Sequence, residues 1–170
     1  MAVRSLEGVV TGLMAGAIEF CAAKTGLASK EQVSEALGGG DCQVCEYLRH
    51  GLALRVASYL ADLDPSLRAV YSYDGERATG EGSLAYSPGI NLIARVERKS
   101  AALEAAIRAI GAALAESWGA LACPYSTAAC YTLDVRVVDQ GEHEHHEHVV
   151  RGYGALLGSV HVRPTEIWRR

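Results

Sequence analysis

The chain has 170 residues and a mass of 18.0 kDa, with 49% hydrophobic and 21% charged residues. This is ordinary globular usage at about the length of one domain, which excludes a chain that is wholly disordered, collagen-like or coiled-coil. Sixteen Lys+Arg against twenty Asp+Glu leave a net charge of −4, so the basic excess of a non-specific nucleic-acid binder is absent.

Five cysteines, Cys21, Cys42, Cys45, Cys123 and Cys130, are an odd number. A full disulfide framework would leave one over. A chain this long also buries roughly two thirds of its unfolded surface and needs no staples. A reducing, cytoplasmic location is therefore expected. The first apolar run, residues 8–18, is ended by Glu19 and is too short to span a bilayer. Glu7 and Glu19 also argue against a signal peptide, so no membrane partner is expected.

The first third reads helical. Leu6, Val9, Val10, Leu13, Met14, Ala17 and Cys21 form one stripe at helical spacing, and Ser5 is placed to cap it. The opposite face carries Gly8, Gly12 and Gly16. Each glycine costs roughly 1 kcal/mol of helix propensity relative to alanine. Either another helix approaches closely there, from this chain or a second subunit, or a core helix simply tolerates them. Ser29 and Gln32 have capping-box spacing for a short helix that ends at residues 38–40. Asp41 caps a long helix over residues 42–63, with Val44, Cys45, Leu48, Leu52, Val56, Tyr59, Leu60 and Leu63 on one stripe, stopped by Asp64 and Pro65.

From Leu67 the period changes to two. Leu67, Ala69, Tyr71 and Tyr73 alternate with Arg68, Val70 and Ser72, which predicts a strand. A glycine-containing loop over residues 74–89 leads to a strand over 90–96, whose apolar first half suits a central position. Ser100 caps a helix running to about residue 117, with Leu103, Ile107, Ile110 and Leu114 facing inward. A strand follows over 131–138, and a short one over 159–162. Arg163, Arg169 and Arg170 read as a small basic tail. The fold expected is α+β, with N-terminal helices packed on a mixed sheet of about four strands. Residues 1–40 form a helical segment and 41–170 the core, together one compact unit.

The order helix, strand, glycine-containing loop, strand, helix, strand resembles the minimal nucleotidyltransferase fold of the DNA polymerase beta superfamily. Gly75-Glu76-Arg77-Ala78-Thr79-Gly80 resembles that family's Gly-Ser-Arg-Ala-Arg-Gly turn, with Glu76 in place of serine. The segment from Ser87 through Ile90, Asn91 and Leu92 resembles its Ser-Asp-Ile-Asp-Leu strand, with Gly89 and Asn91 where the aspartates belong and one extra residue before them. Leu133-Asp134-Val135 matches the strand of the third carboxylate. The likeness covers about residues 45–139 and lies more in topology than in motifs.

The resemblance implies nucleotide binding at Gly75, Glu76 and Arg77, and catalysis at Asp134 and Asn91 if the protein is active. In the family, three carboxylates hold two divalent ions that bind the triphosphate and activate the attacking hydroxyl. Here one carboxylate of three remains, so the resemblance implies a non-catalytic relative. A second glycine pattern, Gly80 and Gly82 followed by Ala85, fits a dinucleotide fingerprint loosely, but a strand follows it where a helix must open.

The most unusual segment is residues 142–148, Glu-His-Glu-His-His-Glu-His, which holds four of the six histidines: His143, His145, His146 and His148. Imidazole and carboxylate suit zinc, nickel, copper or iron. In an extended chain, each face of this segment offers three donors. As a helix, Glu142 and His145 have the spacing of di-iron bundles, but Gly141 and Gly152 leave little room for a helix, and Val149-Val150 favour a strand or loop. The alternative is a solvated loop that holds no ion. Cys42 and Cys45 are expected at a helix N-terminus, where the dipole lowers thiol pKa and suits metal ligation or redox chemistry. No thioredoxin-like strand precedes them. They are read as metal ligands, with Cys123 and Cys130 as partners for a four-cysteine zinc site, against a default of unpaired thiols.

Three functional classes follow. The first is a non-catalytic nucleotidyltransferase-like binding protein with a divalent metal, zinc or nickel, on the His/Glu segment, and a nucleotide or protein partner. The second is a nucleotidyltransferase or hydrolase with a non-standard, magnesium-dependent site. The third is a homo-oligomeric structural protein built on the glycine face of the first helix.

Overall fold

The structure, a computed structural model, describes residues 5–72, 90–122, 133–142 and 165–170, with the backbone alone for 118–122. Helix α1 spans Leu6–Thr25, α2 Lys30–Gly38, α3 Cys42–Leu63 and α4 Ala101–Ala122. Strand β1 spans Leu67–Ser72, β2 Ile90–Val96, β3 Leu133–Val138 and β4 Thr165–Arg169. The protein is thus α+β, with a mixed four-stranded sheet in the order β3-β2-β1-β4.

Each helix begins where the sequence supplies a cap. Ser5 Oγ accepts from the Gly8 amide, Ser29 Oγ from Gln32, Asp41 Oδ1 from Gln43 and Val44, and Ser100 Oγ from Leu103. These bonds satisfy amides that have no partner inside the helix. Helix α1 ends at Gly26, whose φ of 75° is the left-handed conformation that favours glycine.

Helix α3 lies against β1, β2 and β4, α4 lies against β3, and α1 packs chiefly on α3 and α4. The core holds Leu48, Leu52, Val56 and Leu60 of α3, Leu103, Ile107, Ile110 and Leu114 of α4, and Leu67, Val70, Ile90, Leu92, Ala94, Val96 and Val137 of the sheet. Of the expected α1 stripe all are buried except Leu6, which is exposed. By length and composition α1 could cross a membrane; a core helix passes the same test. Its buried stripe belongs to the core shared with α3 and α4.

The close approach anticipated on α1 occurs within the chain. A Cβ at Gly16 would lie 2.5 Å from Arg55 Nε, and one at Gly51 of α3 would lie 2.9 Å from Phe20 Cδ1 and 3.1 Å from the Ala17 carbonyl. Helices α1 and α3 therefore cross at Gly16–Ala17 against Gly51–Arg55. A Cβ at Gly12 would meet nothing within 4 Å, so this crossing accounts for only part of the stripe.

Strands β1 and β2 are antiparallel, and β2 and β3 are parallel, joined by α4 as a crossover. A register shift between Leu67 and Ala69 corrects the simple alternation expected for β1. It turns Val70 and Ser72, with Leu67, toward the helices and leaves Ala69 and Tyr71 on the other face. Helix α4 also runs to Ala122, past the expected end near residue 117.

The C-terminal segment read as a basic tail is partly strand β4, antiparallel to β1. Arg169 Nε donates to both Glu166 carboxylate oxygens at 2.9 Å. Arg170 donates to the Pro65 carbonyl and, at 3.0 Å, to the Ala61 carbonyl near the end of α3. A cation there also complements the negative end of the helix dipole. The strand expected over 159–162 lies outside the described residues.

Candidate functional sites on the sheet and helix α3

The helices cover one face of the sheet. The other face is set by register: Asn91, Ile93 and Arg95 of β2, Asp134, Arg136 and Val138 of β3, Ala69 and Tyr71 of β1, and Glu166 and Arg169 of β4. Asn91 and Asp134 are direct partners across the parallel pair. The two residues singled out from the nucleotidyltransferase-like pattern thus stand side by side, at the start of both strands. Asn91 is half-buried and Asp134 exposed. They supply one charged and one neutral oxygen donor. The turn residues Gly75, Glu76 and Arg77 lie outside the described residues.

Two rows on, Arg136, Ile93, Tyr71 and Glu166 line up across all four strands. The Arg169 guanidinium, with smaller contributions from the Tyr71 hydroxyl and Arg95, holds the Glu166 carboxyl below its ordinary range. This ionic network is absent from the sequence reading, which places Arg169 in a basic tail and does not single out Glu166.

The His/Glu segment leaves the far end of β3. Asp139 Oδ1 accepts from the Glu142 amide at 3.0 Å, and Glu142 Oε2 accepts from the Asp139 amide at 3.3 Å. This is a reciprocal capping box around a helical turn at residues 140–142. Lys99, just past β2, closes on the Glu142 carboxylate at 2.7 Å. The Asp-x-x-Glu spacing was present in the sequence as the signal for this turn; the role of Lys99 had none. The entry to the segment is therefore a helical turn at residues 140–142, and the strand or loop expected for residues beyond it lies outside the described residues. Asp139 lies five positions beyond Asp134, about 16 Å of rise along an extended chain. His143, His145, His146 and His148 lie outside the described residues.

The Lys99–Glu142 contact has a definite pH signature. The Lys99 hydrogen bond, then the Asp139 amide, holds Glu142 below the usual glutamate range, and the same contact raises Lys99. The Glu142 contribution is present above the ordinary glutamate titration and is lost as pH falls through the lowered folded value. The Lys99 contribution is present below the ordinary lysine titration and is lost as pH rises through the raised one. An NMR titration of the Asp139 amide should show a midpoint below that of an isolated glutamate, and Lys99→Ala should move it up. An unmoved midpoint would mean that the contact does not persist in solution.

On α3, Cys42 is exposed, Cys45 half-buried, and Cys21 of α1 buried, its thiol donating to the Val44 carbonyl at 3.5 Å. Burial pushes the Cys45 thiol up, with Arg49 opposing. At Cys45 this runs opposite to the lowering expected at a helix N-terminus. Asp41 already takes the Gln43 and Val44 amides, so those donors are not open to a thiolate. Among the described residues no three His, Cys, Asp or Glu side chains are grouped to hold an ion. Cys123 and Cys130, the other candidate zinc ligands, lie outside them. Comparison with known protein families, curated proteins and solved structures finds no match to this chain.

Proposed function

We propose that this chain is a non-catalytic, nucleotidyltransferase-like binding protein that takes up a divalent metal ion, zinc or nickel, on His143, His145, His146 and His148. The observation that carries this reading is the interleaving of four imidazoles with glutamates directly after the turn held by Lys99, Asp139 and Glu142. Imidazole is a good ligand for both metals. An anchored entry reduces the ordering cost of gathering the ligands. The non-catalytic half of the reading rests on the Asn91–Asp134 pair. One carboxylate beside a neutral amide is a poor match for two magnesium ions, which require charged oxygen ligands.

Metal analysis of the untagged protein should find zinc or nickel, and calorimetry of the stripped protein should show uptake of about one zinc ion. Replacing the four histidines with alanine should abolish that uptake. Stripped wild-type protein that ignores zinc would reject the reading.

The register of Asn91 against Asp134 favours a second reading, magnesium-dependent nucleotidyl transfer or hydrolysis at a non-standard site. Under it, Asp134→Ala removes nucleotide turnover that wild type performs. Wild-type protein without turnover eliminates this alternative.

A further inference from the structure

Three thiols stand near the junction of α1 and α3, in three different environments. Cys42 is exposed on the first turn of α3, Cys45 follows one turn on and is half-buried, and Cys21 is buried behind Val44. Residues three apart in an α-helix have Cα atoms about 5 Å apart, inside the range of roughly 4.4–6.8 Å that a disulfide spans. Cys42 and Cys45 therefore meet the Cα requirement for a bond. Their exposures differ in the sense that disulfide exchange requires: one sulfur is open to an incoming substrate, and the other is shielded and close behind it.

We propose that Cys42 and Cys45 form a dithiol–disulfide couple whose substrates are small dialkyl disulfides of the glutathione type. The inference is independent of the histidine reading. Cys42, deprotonated, attacks one sulfur of the substrate. The substrate S–S bond breaks, a mixed disulfide forms on Cys42, and the departing thiolate takes up a proton. Cys45 then gives its proton to solvent and attacks Cys42 Sγ. The mixed bond breaks, the second small thiol leaves and is protonated, and Cys42–Cys45 remains as a disulfide. Two protein thiols are oxidised and one substrate disulfide is reduced to two thiols, so protons and electrons balance.

The order of attack follows from access. Cys42 is exposed and meets the substrate first, while half-buried Cys45 reacts only once the mixed disulfide stands beside it. The positive charge of Arg49, one turn further along α3, favours the Cys45 thiolate when it forms. Cys21, buried and bonded to a backbone carbonyl, is excluded from the exchange.

The test uses the whole chain. Cleavage after Lys and Arg releases Cys42 and Cys45 together on residues 31–49, with Cys21 on 5–24 and Cys123 and Cys130 on 109–136. Reduced protein is equilibrated across glutathione ratios, quenched with acid, alkylated in denaturant and mapped by mass spectrometry. Peptide 31–49 should pass from doubly alkylated to internally bridged as the ratio becomes oxidising. In Cys45→Ser, glutathione should accumulate on Cys42. In Cys42→Ser, Cys45 should be modified at least tenfold more slowly. Circular dichroism matching wild type confirms the fold of each variant, and Cys45→Ala replaces Cys45→Ser if it does not match. A peptide 31–49 that stays fully reduced in oxidised glutathione would overturn the proposal. So would a bridge from Cys45 to the Cys21 peptide, or faster modification of Cys45 than of Cys42.

Discussion

Gly51→Val should destabilise the protein by about 3 kcal/mol, the upper part of the usual overpacking range. At this chain length that lowers the melting temperature by roughly 10 °C. The reason is the crossing of α1 on α3. A Cβ at residue 51 lies 2.9 Å from Phe20 Cδ1, 3.0 Å from Phe20 Cβ and 3.1 Å from the Ala17 carbonyl oxygen. A ring can rotate, but a backbone carbonyl cannot yield without moving α1. Valine adds two further carbons at the same point. Gly51→Ala gains about 1 kcal/mol of helix propensity and should still come out destabilised, because the first added carbon already violates the contact. Gly12→Ala is the control. Its Cβ meets nothing within 4 Å, so propensity acts alone and should stabilise the protein by up to about 1 kcal/mol. Thermal melts of the three variants decide the matter. Equal stability of Gly51→Val and wild type would mean that the two helices do not cross where described.

Leu60→Ala should cost about 3 kcal/mol, within the range for a leucine deleted from a closed core, whereas Leu63→Ala, on the same helix, should cost less than about 1 kcal/mol. Leu60 is fully buried and Leu63 is 42% exposed. The sequence stripe on α3 contained both. The lost transfer energy and the cavity term apply only where packed neighbours cannot collapse inward. At Leu60 those neighbours include the sheet below α3, while at Leu63 solvent fills the gap. Denaturant unfolding with an unchanged m-value would measure the pair cleanly. A similar loss at both positions would contradict the burial pattern.

The helices were the most legible part of this chain. Their caps at Ser5, Ser29, Asp41 and Ser100 are local chemistry, formed by side chains with amides two or three residues on. The apolar stripes of α1, α3 and α4 were also local. They held except at their margins, where Leu6 and Leu63 proved exposed. Strand β4 was not legible. Its Thr-Glu-Ile-Trp-Arg sequence carries two charges in five positions, and it becomes a strand by pairing with β1. The register shift in β1 was equally hidden, because Ala69 and Val70 are both fully buried on opposite faces of the sheet.

Of the candidate sites, the sequence supplied the participants and tertiary structure supplied their distances. Asp134 and Asn91 were separated by forty-two residues in the chain and became neighbours through the parallel pairing that α4 allows. The Cys42–Cys45 spacing was visible from the start. Their contrast in exposure follows the helical period, with Cys45 on the apolar stripe of α3 and Cys42 off it. The residue types alone determined the α+β class, the helix starts and the inventory of thiols, imidazoles and carboxylates, because short-range hydrogen bonds and hydrophobic period act within a few positions. Register and the helix crossing at Gly51 were decided by long-range packing. Those outcomes depend on which distant surfaces exclude water together, and no local window of the chain contains both partners.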